Sequence, residues 1–187
     1  MVERSFYIVN MNKTQEKIAA GLEQAFAERG FTELGVDGLR DAAKVSLRTL
    51  YKYCPSKVDM IIMALEHRHA RYLTHLFEGL PTHNPQVLDE IFARVGHWMS
   101  ENNSEGCLFH NAVVSHPNSE AIRKMLERHK AEVADKLVES SNLIAMREPL
   151  LLIHEGIVQS WPILGAQAIA SARILATGLQ SGNAVKV

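Results

Sequence analysis

Apolar residues recur along this chain at the three- and four-residue spacing of amphipathic helices. From Lys13 to Arg29, Ile18, Leu22, Ala25 and Phe26 form one stripe, and Gly30 then ends the run as glycine does where a helix needs a left-handed residue. Val36, Leu39, Ala42 and Ala43 make a second, much shorter stripe. Lys44-Val45-Ser46 interrupts it, and Ser46 is suited to cap the next helix by accepting an orphan backbone N–H. Between Leu47 and Cys54 only Leu50 and Cys54 fall on the inward side, which leaves Arg48, Thr49, Tyr51, Lys52 and Tyr53 largely outside. A long helix is expected from Ser56 to Leu80, opened by the S-x-x-D pattern of Ser56 and Asp59. After a break between Pro81 and Pro85, helices follow over Asn84 to Asn102 (Val87, Ile91, Val95, Trp98) and Glu120 to Ser140 (Ile122, Leu126, Val133, Leu137). The pattern is all-α throughout.

The last third differs from the rest. Pro162 and Gly165 divide it into two helices, roughly Arg147 to Ser160 and Ala166 to Gln180. Leu150, Leu151, Leu152, Ile153, Ile157, Val158 and Trp161, then Ile169, Ile174 and Leu175, place apolar side chains nearly all the way round. A helix apolar on every side needs two partners, one being its own core. The second is most economically another copy of the chain, with Leu151, Val158, Ile169, Ala172 and Leu175 at the subunit interface. Ala168, Ala170, Ala172 and Ala176 permit close approach there.

Charge singles out the segment around the second short helix. The 187-residue chain carries a net charge of −1, yet Lys44, Arg48, Lys52 and Lys57 supply four cations with no acid between them. Cations that neutralise phosphates release counterions, the main sequence-independent source of DNA affinity. Two helices joined by a tight turn, with donor-rich side chains on the second, match a helix-turn-helix that lays its second helix in the major groove.

The segment Leu50-Tyr51-Lys52-Tyr53-Cys54-Pro55-Ser56-Lys57 closely resembles the end of the DNA-binding domain in TetR-family transcriptional regulators, where Pro-Ser-Lys opens a long helix. The resemblance is most specific over Lys13 to Lys57, and length and helical content agree with it to the C-terminus. It implies base or groove contacts from Leu47, Arg48 and Thr49 and phosphate contacts from Tyr51, Tyr53 and Lys57, with Ser46 and Lys52 completing the DNA-facing set. Arg48 can pair bidentately with guanine, whereas Leu47 reaches only a thymine methyl. It also implies that the last two helices form a four-helix dimer interface. Three positions depart from the family pattern. Lys44 stands at a turn position that is usually Gly, where a left-handed conformation costs about 1 kcal/mol. Gly35 and Val36 replace a capping Thr, and Asp37 stands where a cation would suit a phosphate.

Between the helices at 84–102 and 120–140, Gly106-Cys107-Leu108-Phe109-His110-Asn111-Ala112 sets two polar side chains inside an apolar run. It resembles a segment of one TetR subgroup that lies beside the ligand cavity. An apolar pocket with a few placed polar groups is the usual small-molecule site. His110 and Asn111 would furnish those groups, with Trp98, Phe109, His154 and Trp161 as walls or further partners. The same residues can equally serve as packing at a helix end.

Metal and catalytic chemistry find little footing. All nine histidines follow Glu66, but His67 and His69 point to different faces of one helix, and no Cys/His/Asp cluster has ligand spacing. There is no G-x-S-x-G, H-E-x-x-H or phosphate-binding glycine loop. No metal and no cofactor is expected, and no enzyme activity. Cys54 and Cys107 lie in no CxxC spacing, and no signal peptide or membrane span is apparent, so a cytoplasmic location is expected.

The sequence therefore predicts an arm over 1–12, a three-helix DNA-binding domain over 13–55, and a helical ligand-binding and dimerisation domain over 56–187. The expected function is a homodimeric transcriptional regulator, a repressor released from a palindromic double-stranded operator by a small-molecule effector. The competing expectation is a helical small-molecule-binding protein or enzyme without DNA function.

Overall fold

The computed structural model describes residues 11–81, 86–102 and 105–182. Of the arm expected over 1–12, only Met11 and Asn12 fall among them. The described residues form helices α1 (Lys13–Arg29), α2 (Val36–Ala43), α3 (Leu47–Tyr53), α4 (Lys57–Phe77), α5 (Val87–Glu101), α6 (Leu108–Ser115), α7 (Glu120–Ser141), α8 (Arg147–Leu164) and α9 (Ala166–Gly182), with a 3₁₀ turn at Ile144–Met146. They fall into two compact units, with the divisions inside α4, just before α6 and inside α7.

The first unit takes the chain to Tyr72 together with Leu108–Arg128. Asn12 opens α1 as a full capping box, accepting from the N–H groups of Thr14 and Gln15 while the Gln15 side chain accepts from the Asn12 N–H. Ile18, Leu22 and Phe26 are buried on one side of α1, as their spacing requires, and Phe31 stacks on Phe26 at 4.9 Å. Leu39, Leu50, Met60, Ile61 and Leu65 complete the core of α2, α3 and α4. Each such side chain contributes about 1.5–3 kcal/mol on burial. At Gly21 α1 and α2 meet backbone to backbone: a Cβ there would lie 2.4 Å from the Ala42 carbonyl oxygen. Ser56 and Asp59 cap α4 reciprocally, with the Asp59 carboxylate 2.9 Å from the Ser56 N–H and the Ser56 hydroxyl accepting from the Asp59 N–H. The Gly-Cys-Leu-Phe-His-Asn segment leads into a helix of its own, α6, rather than closing the one before it.

The second unit holds Leu73–Cys107 and the chain from His129 onward. Within it α8 and α9 pack on each other, and α5 packs on both. Ile91, Phe92, Val95, Val133, Leu137, Leu150 and Ile157 form its core. The expected break before Pro162 is not there: α8 continues through Pro162 to Leu164 and stops at Gly165, whose φ of 52° and N–H bond to the Trp161 carbonyl close the helix. Proline removes one intrahelical donor, and in the last turn the helix has only two residues left to lose. No helix among the described residues is long and apolar enough to cross a membrane.

Candidate functional site

The reading face is set by α3 and the turn before it. Lys44 adopts the left-handed conformation (φ 52°, ψ 46°), so its departure from glycine is accommodated at a cost of about 1 kcal/mol. Its carbonyl accepts from the Lys17 ammonium at 2.9 Å, which ties the turn to α1. Ser46 then caps α3 by accepting from the Thr49 N–H at 3.1 Å, and the two hydroxyls are 2.8 Å apart. Leu50 is fully buried and holds α3 down. Ser46, Leu47, Arg48, Tyr51 and Lys52 are exposed, and Thr49 and Tyr53 are half-buried. The Lys52 ammonium sits 5.4 Å from the Tyr53 ring centroid, a cation–π contact made by an exposed side chain. Cys54 is fully buried, and burial, helped by Asp59, pushes its thiol up to about 11, the profile of an inert core residue.

Lys57 is more constrained than the sequence suggests. It is half-buried, and its ammonium donates to the Leu34 carbonyl at 3.1 Å, just ahead of α2. An ammonium has three donors, so this tether aims the charge without exhausting it. Asp37 pairs with Arg40 at 2.9 Å, and Arg40 also pairs with Asp41 at 2.8 Å, so the acid expected to oppose a phosphate is partly neutralised by its own helix.

The residues expected around an effector are distributed over both units. In the first, Phe109 is buried, its ring nearly perpendicular to that of His69 with 6.5 Å between centroids, and His110 is half-buried. Asn111 is exposed: α6 turns it outward, so it does not line a buried space in this unit. In the second, Trp98 is buried beside His75 at 5.4 Å, and Trp161 is half-buried near Gly96. His154 is 1% exposed. Its Nδ1–H donates to Glu155 at 3.1 Å, and the Lys130 ammonium donates to the same carboxylate oxygen at 2.6 Å and approaches the Cys107 sulfur at 3.3 Å. Burial lowers the His154 pKa. Burial acts in the opposite sense on Glu155, but hydrogen bonds and the Lys130 charge hold it at about 2. This buried acid–base group is built from Lys130 and Glu155, which hydropathy reads as ordinary helix-surface charges.

Of the residues expected at a subunit interface, the structure turns three inward. Val158, Ile169 and Ala172 are buried in the chain's own core, where Ile169 packs against Gly96. Leu151 is half-buried and Leu175 is 59% exposed. The outward apolar side chains are instead Leu152, Ile163 and Ile174, at 71%, 86% and 74% exposure, together with Leu164 and Leu175. A helix apolar all round carries no phase in its hydropathy, so only packing reveals which side faces out.

A further cluster went unread in the sequence. Glu23 of α1 is buried among α4 side chains: one carboxylate oxygen accepts from Arg71 at 2.7 Å and Arg68 at 3.3 Å, the other from His67 Nδ1–H. Burial raises its pKa, but these partners outweigh it and the carboxyl stays below its ordinary value. On α4, Glu66 is likewise buried and paired with Arg128. Among the described residues no three His, Cys, Asp or Glu side chains gather as a metal site.

Residues 18–63, from mid-α1 into α4, match the family model described as bacterial regulatory proteins of the tetR family. No curated protein is similar in sequence to the chain. Among solved structures it is similar to the reduced form of NemR from E. coli, with 26% identity and a TM-score of 0.67 over 88% of this chain and 95% of that one. It is also similar to a TetR-family transcriptional regulator of Streptomyces coelicolor (15% identity, TM-score 0.68, 97% and 94% covered). A third likeness is to the multidrug binding protein EbrR complexed with imidazole (14% identity, TM-score 0.65, 94% and 97% covered). The tetR-family model is thus seated on α1 to α4, and the chain shares the fold of a TetR-family transcriptional regulator over nearly its whole length.

Proposed function

We propose that the protein is a homodimeric repressor released from a palindromic operator by a small molecule. The observation that carries the reading is the outer face of α3, where Arg48, Tyr51 and Lys52 stand exposed on a helix anchored by buried Leu50. Arg48 supplies base readout, Tyr51, Lys52, Tyr53 and Lys57 supply phosphate contacts, and Leu47 and Thr49 pack against base edges. The functional division follows the helices: 13–55 reads DNA, and the chain from 56 senses and dimerises. The exposed apolar residues of α8 and α9 favour a second copy of the chain as partner, since surface of this kind is unstable in water. Two-fold symmetry then demands half-sites separated by about one helical turn or a multiple of it. The site of action is the cytoplasm, where bacterial DNA lies.

For the effector, the imidazole bound by the similar multidrug binding protein favours a small-molecule function for this fold. The strongest polar candidates are His154 with Glu155 and Lys130, all in the second unit with Trp98 and Trp161; Phe109 and His110 belong to the first unit, and the exposed Asn111 is left out of the set. α4 runs unbroken from the reading head to Phe77, so it is the continuous route by which an effector would change the separation of the two heads. The effector shifts a pre-existing equilibrium by its differential affinity for the two states.

A mobility-shift titration on DNA flanking the protein's own coding region, repeated at rising salt, tests the reading. Affinity that falls steeply with salt and is lost on a non-palindromic control supports it. Absence of any DNA binding overturns it and favours a small-molecule-binding protein or enzyme.

A further inference from the structure

We propose that Glu23 is a positioning residue for DNA reading: its buried carboxylate keys α1 to α4, and α1 in turn fixes the turn that carries the recognition helix. The inference rests on the DNA-reading role proposed above and assigns a part to residues that touch no DNA.

Two contacts on different sides of α1 make it a relay. Glu23 accepts from His67, Arg68 and Arg71, three donors within little more than one turn of α4. Lys17 and Gly21, four residues apart on one face, engage the helix-turn-helix: Lys17 holds the Lys44 carbonyl at 2.9 Å, and Gly21 leaves no room for a side chain against Ala42. Residue 23 lies about 200° around the helix from residue 21, nearly opposite. Displacement of α1 on α4 therefore moves the Lys44 turn, Ser46 and α3 with it.

Stability alone is a poor reason for this arrangement. Replacing a buried ion cluster by apolar residues is often neutral or stabilising, because desolvating the charges offsets their attraction. What a carboxylate gripped at both oxygens adds is direction: it accepts only along its lone pairs, so it fixes register and rotation where an apolar contact slides. The grip survives burial, since the Glu23 carboxyl titrates below its ordinary range. A reading helix must hold its side chains within about 0.5 Å to make bidentate base contacts.

The test uses the full chain and fluorescence anisotropy on two duplexes, one from the protein's own upstream region and one scrambled. E23Q keeps the shape of the side chain and removes its charge. It should weaken the upstream duplex about ten-fold, the scale of one lost base contact, and leave scrambled-duplex affinity at low salt within about two-fold, because the exposed cations that bind non-specifically are untouched. K17M should likewise lose more on the upstream duplex than on the scrambled one, with some loss on both because Lys17 is itself an exposed cation. The double variant should lose little more than the worse single, since both act through the pose of α1. R71Q removes a partner that is 46% exposed and so spares the fold; it should show a smaller loss of the same kind, and it decides the matter should E23Q fail to fold. A folded E23Q or R71Q that reads the upstream duplex as the parent does overturns the inference. So does an equal loss on both duplexes, which would make Glu23 a general folding residue. A parent that binds neither duplex instead overturns the DNA-reading role itself.

Discussion

The outer face of α3 and the outer faces of α8 and α9 are both exposed helix surface, yet they have opposite chemistry. On α3 the exposed side chains are Arg48, Tyr51 and Lys52, with Leu47 the one aliphatic member. On α8 and α9 the large apolar side chains left exposed are Leu152, Ile163, Leu164, Ile174 and Leu175. Guanidinium, ammonium and phenol groups are well solvated in the absence of a partner, so the α3 face can release what it binds at little cost. Branched aliphatic groups are not, at about 25 cal/mol for each Å² left in water. One surface suits a partner that comes and goes, the other a partner that stays.

The largest expected effect tests the permanent surface. Ile174→Glu should weaken self-association at least about 100-fold, since a carboxylate trapped in a dry apolar interface costs several kcal/mol; sedimentation velocity reads the result. Ile169→Ala, five residues earlier but facing inward, should instead lower folding stability by about 2–5 kcal/mol with association of the folded chain intact. Equal behaviour of the two variants would erase the distinction between inner and outer faces of α9.

The transient surface comes next. Arg48→Ala should weaken operator binding by about 1–3 kcal/mol, roughly one to two decades, with mass and helicity unchanged. An operator affinity equal to the parent's would move the reading face off Arg48.

Acid sharpens the contrast inside the second unit. His154 is held neutral by burial, below its ordinary value of 6.5, so under that pH the unfolded chain takes up a proton that the folded chain refuses. Glu155, held at about 2 against an ordinary 4.5, supports the fold fully above pH 4.5 and loses that support as pH falls toward 2. Both signs are the same: stability declines with acid, first below pH 6.5 and then below 4.5. Denaturant melts across this range should show a flatter second limb for Glu155→Gln.

The smallest effect concerns Lys44. With φ at 52°, Lys44→Gly relieves left-handed strain and should raise stability by about 1 kcal/mol, less the added freedom of the unfolded chain. A fall in thermal midpoint would mean that the side chain supports the turn in its own right.

The legibility of the sequence follows the same division as the surfaces. Where a helix is amphipathic, its boundaries and its faces were readable: α1, the left-handed turn at Lys44, the Ser46 cap and the Ser56–Asp59 box all stand where the pattern put them. Where a helix is apolar all round, its existence is readable and its faces are not, and Val158, Ile169 and Ala172, which suit an outer interface by pattern, lie inward. Pro162 misled in the other direction, because a last-turn proline ends nothing. The paired charges of Glu23, Glu155 and Lys130 were invisible for a further reason: each partner comes from a distant helix, so no local spacing announces it.

Gly96 carries a consequence for how such a protein can diverge. A Cβ on this residue of α5 would lie 3.1 Å from Ile169 and 3.4 Å from Trp161, close enough to displace its neighbours by a few tenths of an ångström without a hard clash. Because Ile169 is the inner side of the helix whose outer side bears Ile174 and Leu175, an alanine at 96 nudges the whole outward face while leaving every residue on it unchanged. A fine adjustment of that outward apolar face is thus available through one buried hydrogen atom. The geometry of that face changes before a single exposed residue is replaced.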